Sequence, residues 1–147
     1  MHFSDFDGNI LKSFNLNPII KSKVNSNEEK IFVADDRDEI FVFDSNFKRL
    51  FQFGNELKDP VYMKIDNEFD KTRLYVYNFI PSKITIWSTV DGEFIGQIIC
   101  KEFETQCNEI VFTRNSVFVS GFDVCFDESI LEIDKASLEI KIRIRLD

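Results

Sequence analysis

Asp35, Asp36, Arg37, Asp38 and Glu39 form a run of five charged residues, four of them acidic, between two apolar stretches in KIFVADDRDEIFVFD. Carboxylates this dense could hold a cation, work as an acid and base, or form the wet tip of a hairpin. A calcium loop of the EF-hand kind needs acidic ligands at alternate positions, a glycine at the sixth and a distant glutamate. DDRDEIFVF has Ile40 at its sixth position. No metal site is expected, and the residues favour a solvated turn.

Catalytic groups are scarce elsewhere. His2 is the single histidine, so a Ser-His-Asp or Cys-His relay would hang on a terminal segment, where order is poorest. No catalytic residue is expected, and the chain reads as non-enzymatic. A histidine-free pair, Glu109 with Asp66 or Asp123, is chemically possible, but nothing in the spacing singles it out. Cys100, Cys107 and Cys125 are odd in number and include no CxxC pair, which argues against a disulfide framework and a zinc site. They are expected to be reduced and packed as small apolar groups, in a cytoplasmic protein with no cofactor.

These residues need a scaffold, and composition bounds it. The chain has 147 residues, 44% of them hydrophobic, enough for one domain with a core. It has 17 Phe but only 5 Gly and 3 Pro, so the core should be aromatic and the turns should rest on Asn, Asp and Ser. A formal net charge of -8 argues against nucleic acid as the main partner. No run approaches the roughly 20 apolar residues of a membrane span, and MHFSDFDGNI lacks the basic-then-apolar order of an export signal.

Helical periodicity is nearly absent. Short runs rich in Val, Ile, Phe and Tyr recur between polar clusters, the pattern of an all-β protein. Strands are expected at Ile19–Val24, Lys30–Ala34, Ile40–Phe43, Phe47–Phe53, Val61–Ile65, Arg73–Tyr77, Lys83–Trp87, Phe94–Ile99, Glu109–Phe112, Ser116–Ser120, Ser129–Ile133 and Leu138–Leu146. LEIKIRIRL alternates strictly, predicting a strand with one apolar and one wet face, whereas IFVF, with no polar position, predicts a strand covered on both faces.

The triplets Ile31-Phe32-Val33, Leu74-Tyr75-Val76 and Val117-Phe118-Val119 are spaced 43 residues apart, twice. Each is followed by a polar or turn-like tip and another apolar run. NPIIKSKVN at Asn17 and DPVYMKIDN at Asp59 share a second register, and FDGNILKSFNL and FDSNFKRLFQF share a third. A four-strand unit with a period of about 40 residues is one blade of a β-propeller. The expected architecture is a partial propeller of about 3.5 blades in one unit, 1–147: a half blade at 1–16 and blades at 17–58, 59–104 and 105–147.

The first full blade resembles the NHL repeat. Val33, Ala34, Asp35, Phe43, Asp44, Phe53, Gly54 and Pro60 match the family pattern, while the second blade has Tyr77 and Asn78 where the family favours Ala and Asp. The resemblance implies rings of about six blades, on the order of 240 residues, longer than this chain. It therefore implies a homodimer or higher homo-oligomer completing a ring, or a place in a longer chain. It also implies partner binding at the face where the tips emerge, giving a protein-binding rim of Asp35, Asp36, Arg37, Asp38, Asn78, Phe79, Ile80, Pro81, Gly121, Phe122 and Asp123. The expected function is a protein-interaction or assembly scaffold. The alternatives are part of a propeller hydrolase or lyase, whose relatives use channel metals held by His, Glu and Asn, and a single-stranded RNA-binding propeller, which the acidic tips disfavour.

Overall fold

The computed structural model describes residues 2–4, 10–13, 23–26, 29–34, 38–55, 57–79, 81–100, 106–122 and 127–146. Its regular elements are all strands: β1 (His2–Ser4), β2 (Ile10–Ser13), β3 (Lys23–Ser26), β4 (Lys30–Ala34), β5 (Ile40–Asp44), β6 (Arg49–Phe53) and β7 (Pro60–Asp66). They continue as β8 (Asp70–Asn78), β9 (Lys83–Ser88), β10 (Phe94–Ile99), β11 (Gln106–Phe112), β12 (Ser116–Phe122), β13 (Glu128–Asp134) and β14 (Ile140–Leu146). Among the described residues no helix is long and apolar enough to cross a membrane.

Within each sheet consecutive strands pair antiparallel. β1 and β2 form a two-stranded sheet, followed by three four-stranded sheets, β3 to β6, β7 to β10 and β11 to β14. The first strands, β3, β7 and β11, are neighbours in succession, so the three sheets are arranged about their first strands and stack face to face. The strand expected at Ile19–Val24 is described only from residue 23. Its neighbour Lys30–Ala34 is found as expected, and the second and third sheets run longer than the apolar runs alone imply because polar ends such as Asp70 and Asn78 still pair.

The stacking explains the sequence pattern. In each triplet the central aromatic points one way along the stack and its neighbours the other. Phe32 packs with Leu74, Val76 and Trp87 of the second sheet, and Tyr75 packs with Val117, Val119 and Leu131 of the third. Both rings are fully buried. β5 and β9 lie between covered faces, so their alternate positions have no wet side. That is why IFVF and ITIW carry almost no polar residue.

Aspartates close the outer turns, as the shortage of glycine requires. Asp44 Oδ1 accepts the amides of Asn46 and Lys48 at 2.9 and 2.8 Å, and Asp134 Oδ1 those of Ala136 and Ser137 at 2.9 and 2.8 Å. Phe47 and Leu138 then take φ of 59° and 60°, left-handed angles that the turns impose on bulky residues. Gly54 has φ 135°, and a Cβ there would meet the Asp38 carbonyl at 2.7 Å and Leu57 at 2.8 Å. Its glycine is required both for the angle and for the close approach.

Candidate interaction surface

The tips of the hairpins share one end of the stack. Asp38, in the tip between β4 and β5, accepts the Asp59 amide on Oδ1 at 2.7 Å. The Phe79 amide donates to the Asp59 carbonyl at 3.2 Å, and the Lys58 amide donates to Asn78 Oδ1 at 2.9 Å. The Cys100 amide donates to the Ser82 carbonyl at 3.0 Å. The first tip, the β6–β7 link, the second tip and the start of the β10–β11 link are thus tied together by backbone amides that donate to side-chain and backbone oxygens.

Within this end the expected rim divides. Asp35, Asp36, Arg37, Ile80 and Asp123 lie outside the described residues. Asn78 is fully buried; its amide nitrogen donates to the Val76 carbonyl at 2.9 Å and Thr85 Oγ1 at 3.0 Å. Its carboxamide is therefore a joint of the fold with no free group for a partner. Gly121 is buried as well, paired between Cys107 and Ser129. Pro81 is exposed, and Phe79 and Phe122 are half-buried. These three are the described rim residues that present apolar surface, while Asp38 presents a carboxylate already engaged by the Asp59 amide.

Between the inner strands, Glu109 of β11 receives two hydrogen bonds from β7 on one oxygen: Tyr62 Oη and Lys64 Nζ, each at 2.7 Å. The Lys64 hydrogen bond, followed by that of Tyr62, holds the Glu109 carboxyl below its ordinary range. Burial first, and then Glu109, push the Tyr62 phenol well above its own. Burial likewise pushes the Cys107 thiol up to about 12. These shifts move each group away from neutral pH, the reverse of what acid–base or thiolate chemistry requires. Asp66, considered as a partner for Glu109, turns instead to Lys135, so the two carboxylates do not act as a pair. Cys100 and Cys107 are buried thiols, as expected for packing groups; Cys125 lies outside the described residues. No group of three His, Cys, Asp or Glu side chains suited to a metal occurs among the described residues.

The opposite end holds a feature that sequence reasoning missed. A cleft of about 460 Å³ opens between the second and third sheets, lined by Arg73, Arg114, Lys135 and Lys141 together with Asp70 and Asp134. Arg73 Nε binds Asp70 at 3.0 Å and Arg73 Nη1 donates to the Lys135 carbonyl at 2.9 Å, while Lys141 binds Asp134 at 2.6 Å. The cleft is largely self-neutralised. These residues come from turns and strand ends far apart in the chain, so no local motif announces them.

The third sheet differs from the others on its outer face. Val111, Ile142 and Ile144 are 50%, 49% and 47% exposed, and all of β14 is exposed. The sequence predicted one wet side for this strand; the structure leaves its apolar side open too, because no described element lies over it.

No family model matches the chain, and no curated protein sequence matches it. Solved structures do. Apo AztD from Citrobacter koseri superimposes with a TM-score of 0.71 at 14% identity over 95% of this chain. The dihydro-heme d1 dehydrogenase NirN in complex with DHE gives 0.69 at 17% over 96%, and the WD40 β-propeller domain of Doa1 gives 0.66 at 17% over 93%. The fold is that of a β-propeller. This propeller segment spans 38%, 32% and 43% of those three chains respectively, and at such identities the likeness is one of architecture alone.

Proposed function

We propose that this chain is a non-enzymatic protein-interaction and assembly scaffold built from NHL-like propeller blades. The observation that carries the reading is the open apolar face of the third sheet. Contiguous apolar patches beyond a few hundred Å² are rare on monomers and mark interaction surfaces. Pro81, Phe79 and Phe122 at the tip end offer a second surface, and the hydrogen bonds through Asp38, Asp59 and Asn78 hold that end rigid, as a docking platform needs. The NHL-like register is supported by Gly54, whose left-handed angle no other residue adopts easily, and by Pro60, which opens β7.

Two measurements on the purified chain test this. Light scattering reports association, and the apolar dye anilinonaphthalene sulfonate reports exposed hydrophobic surface. Association, or dye binding that disappears in an Ile142→Lys/Ile144→Lys variant, is expected. A wild-type chain that neither associates nor binds dye would sink the reading.

A further inference from the structure

We infer that the open face of the third sheet is the seat of a second copy of this chain, set head to tail, with its β1–β2 end against β12, β13 and β14. This inference rests on the scaffold reading and gives it a partner.

The argument comes from three equivalent faces. In an antiparallel sheet, directly paired residues share a side. In the first sheet Phe32 pairs with Val42, which pairs with Phe51, and that row is buried by the second sheet. In the second sheet Tyr75 pairs with Ile86, which pairs with Gly96; Tyr75 and Ile86 are buried by the third. In the third sheet the same row is Phe118, Glu132 and Ile142. The next row repeats the relation: Ala34 with Ile40, Tyr77 with Ile84, and Ser120 with Ile130 and Ile144. The positions that make both internal blade contacts are thus apolar again in the third sheet, except Glu132 and Ser120, and they are half-buried or exposed.

What covers this face in the first two cases is a sheet of this chain's own repeat. The sense of stacking is the same each time: the face bearing the central aromatic meets the opposite face of the following sheet. Continuing that sense across a molecular boundary is a heterologous contact, which closes into a ring when its rotation permits. The sheet that precedes the first blade in the chain is the β1–β2 hairpin, two-stranded and therefore marginal on its own. One chain covers 38% of AztD and 43% of the Doa1 propeller domain, so two copies fit within the length of either.

Glu132 makes the inference discriminating. Its carboxylate accepts the Ser116 hydroxyl at 2.8 Å and stands where Val42 and Ile86 stand in the covered faces. A second copy would bury it, at a cost, so Glu132→Val is expected to tighten association about tenfold. Ile144→Asp places a charge in the same face and is expected to weaken it by about tenfold or more. Both positions are open in the single chain, so thermal unfolding of a dilute sample checks that the variants fold.

The experiment is light scattering of the wild type, Glu132→Val and Ile144→Asp, with amine cross-linking of a mixture of isotope-labelled and unlabelled wild type. A two-chain mass that Ile144→Asp dissociates, with intermolecular cross-links that join the β1–β2 segment of one copy to the third sheet of the other, is expected. A single-chain mass at every concentration overturns the inference; if that monomer still binds the apolar dye, the scaffold reading stands with a different partner, and if it does not, both fall. An assembly indifferent to Ile144→Asp, or one cross-linked only from β14 to β14, overturns the head-to-tail seat alone.

Discussion

The Lys135 ammonium, in the turn between β13 and β14, sits on the fully buried carboxylate of Asp66 at the end of β7, one sheet away. The pair is enclosed by Phe69 and Phe112, whose ring centroids lie 5.2 and 5.3 Å from the ammonium, and Asp66 Oδ1 also accepts the Phe69 amide at 2.9 Å. It is the polar counterpart of the apolar contact between the second and third sheets. Lys135→Met leaves an uncompensated buried carboxylate, and urea titration should show a loss of about 3–5 kcal/mol. Asp66→Leu combined with Lys135→Met removes both charges and should recover most of that loss. A double variant as unstable as the single would show that the pair matters through something other than charge.

Glu109 gives the fold an acid-sensitive joint. Its carboxyl is held below its ordinary value of 4.5 by Lys64 and Tyr62, so folding favours the charged form. The contribution is present above that ordinary value and is lost as pH falls below it. Half of the Glu109 side chain is exposed, so the effect is small. Stability measured by denaturant titration at successive pH values should decline below about pH 4.3, and Glu109→Gln should show a shallower decline there with little change at neutral pH. An unchanged slope in the variant would remove Glu109 from the acid response.

The propeller was legible because its cause is local. The 43-residue spacing of Phe32, Tyr75 and Phe118 reflects a side-chain alternation that each strand must obey, and the same alternation decides which face is buried. The apolar character of IFVF reports cover on both sides for the same reason. The candidate surface was less legible. Asn78 reads as a tip residue beside Phe79, yet its carboxamide is drawn inward because Lys58, Val76 and Thr85 all need partners there. No motif in the sequence marks Lys135, and only the stacking of sheets brings it to Asp66. The Asp66–Lys135 contact joins residues 69 positions apart, and no periodicity within a strand encodes it.

The two described thiols should be silent in the native state. Cys100 and Cys107 are buried, and burial pushes Cys107 up to about 12, so the reactive thiolate is scarce at neutral pH. In a Cys125→Ser background, a chromogenic disulfide reagent at pH 8 should label neither thiol until urea unfolds the chain, and then both together. Rapid labelling of one thiol in the absence of urea would mean that its cover opens locally without global unfolding.

Phe32, Tyr75 and Phe118 occupy one repeat position with two degrees of cover, so the same substitution reads out the cover directly. The first two rings are fully buried between sheets, and truncating either to alanine removes a large aromatic from a packed interior. A loss of about 3–5 kcal/mol is expected at both positions, independent of protein concentration when measured on a dilute sample. Phe118 is only half-buried in the single chain, so its truncation removes fewer contacts and should cost about 1 kcal/mol there, in the centre of the ordinary range for point variants. At high concentration the penalty at Phe118 should grow toward those of the other two if the outer face is covered by association, because the ring is then buried in the assembled state. Chemical denaturation of the three variants at low and high protein concentration measures this. Equal penalties at all three positions in the dilute sample would show that Phe118 is already covered within one chain, and a Phe118 penalty that never changes with concentration would show that its face stays open.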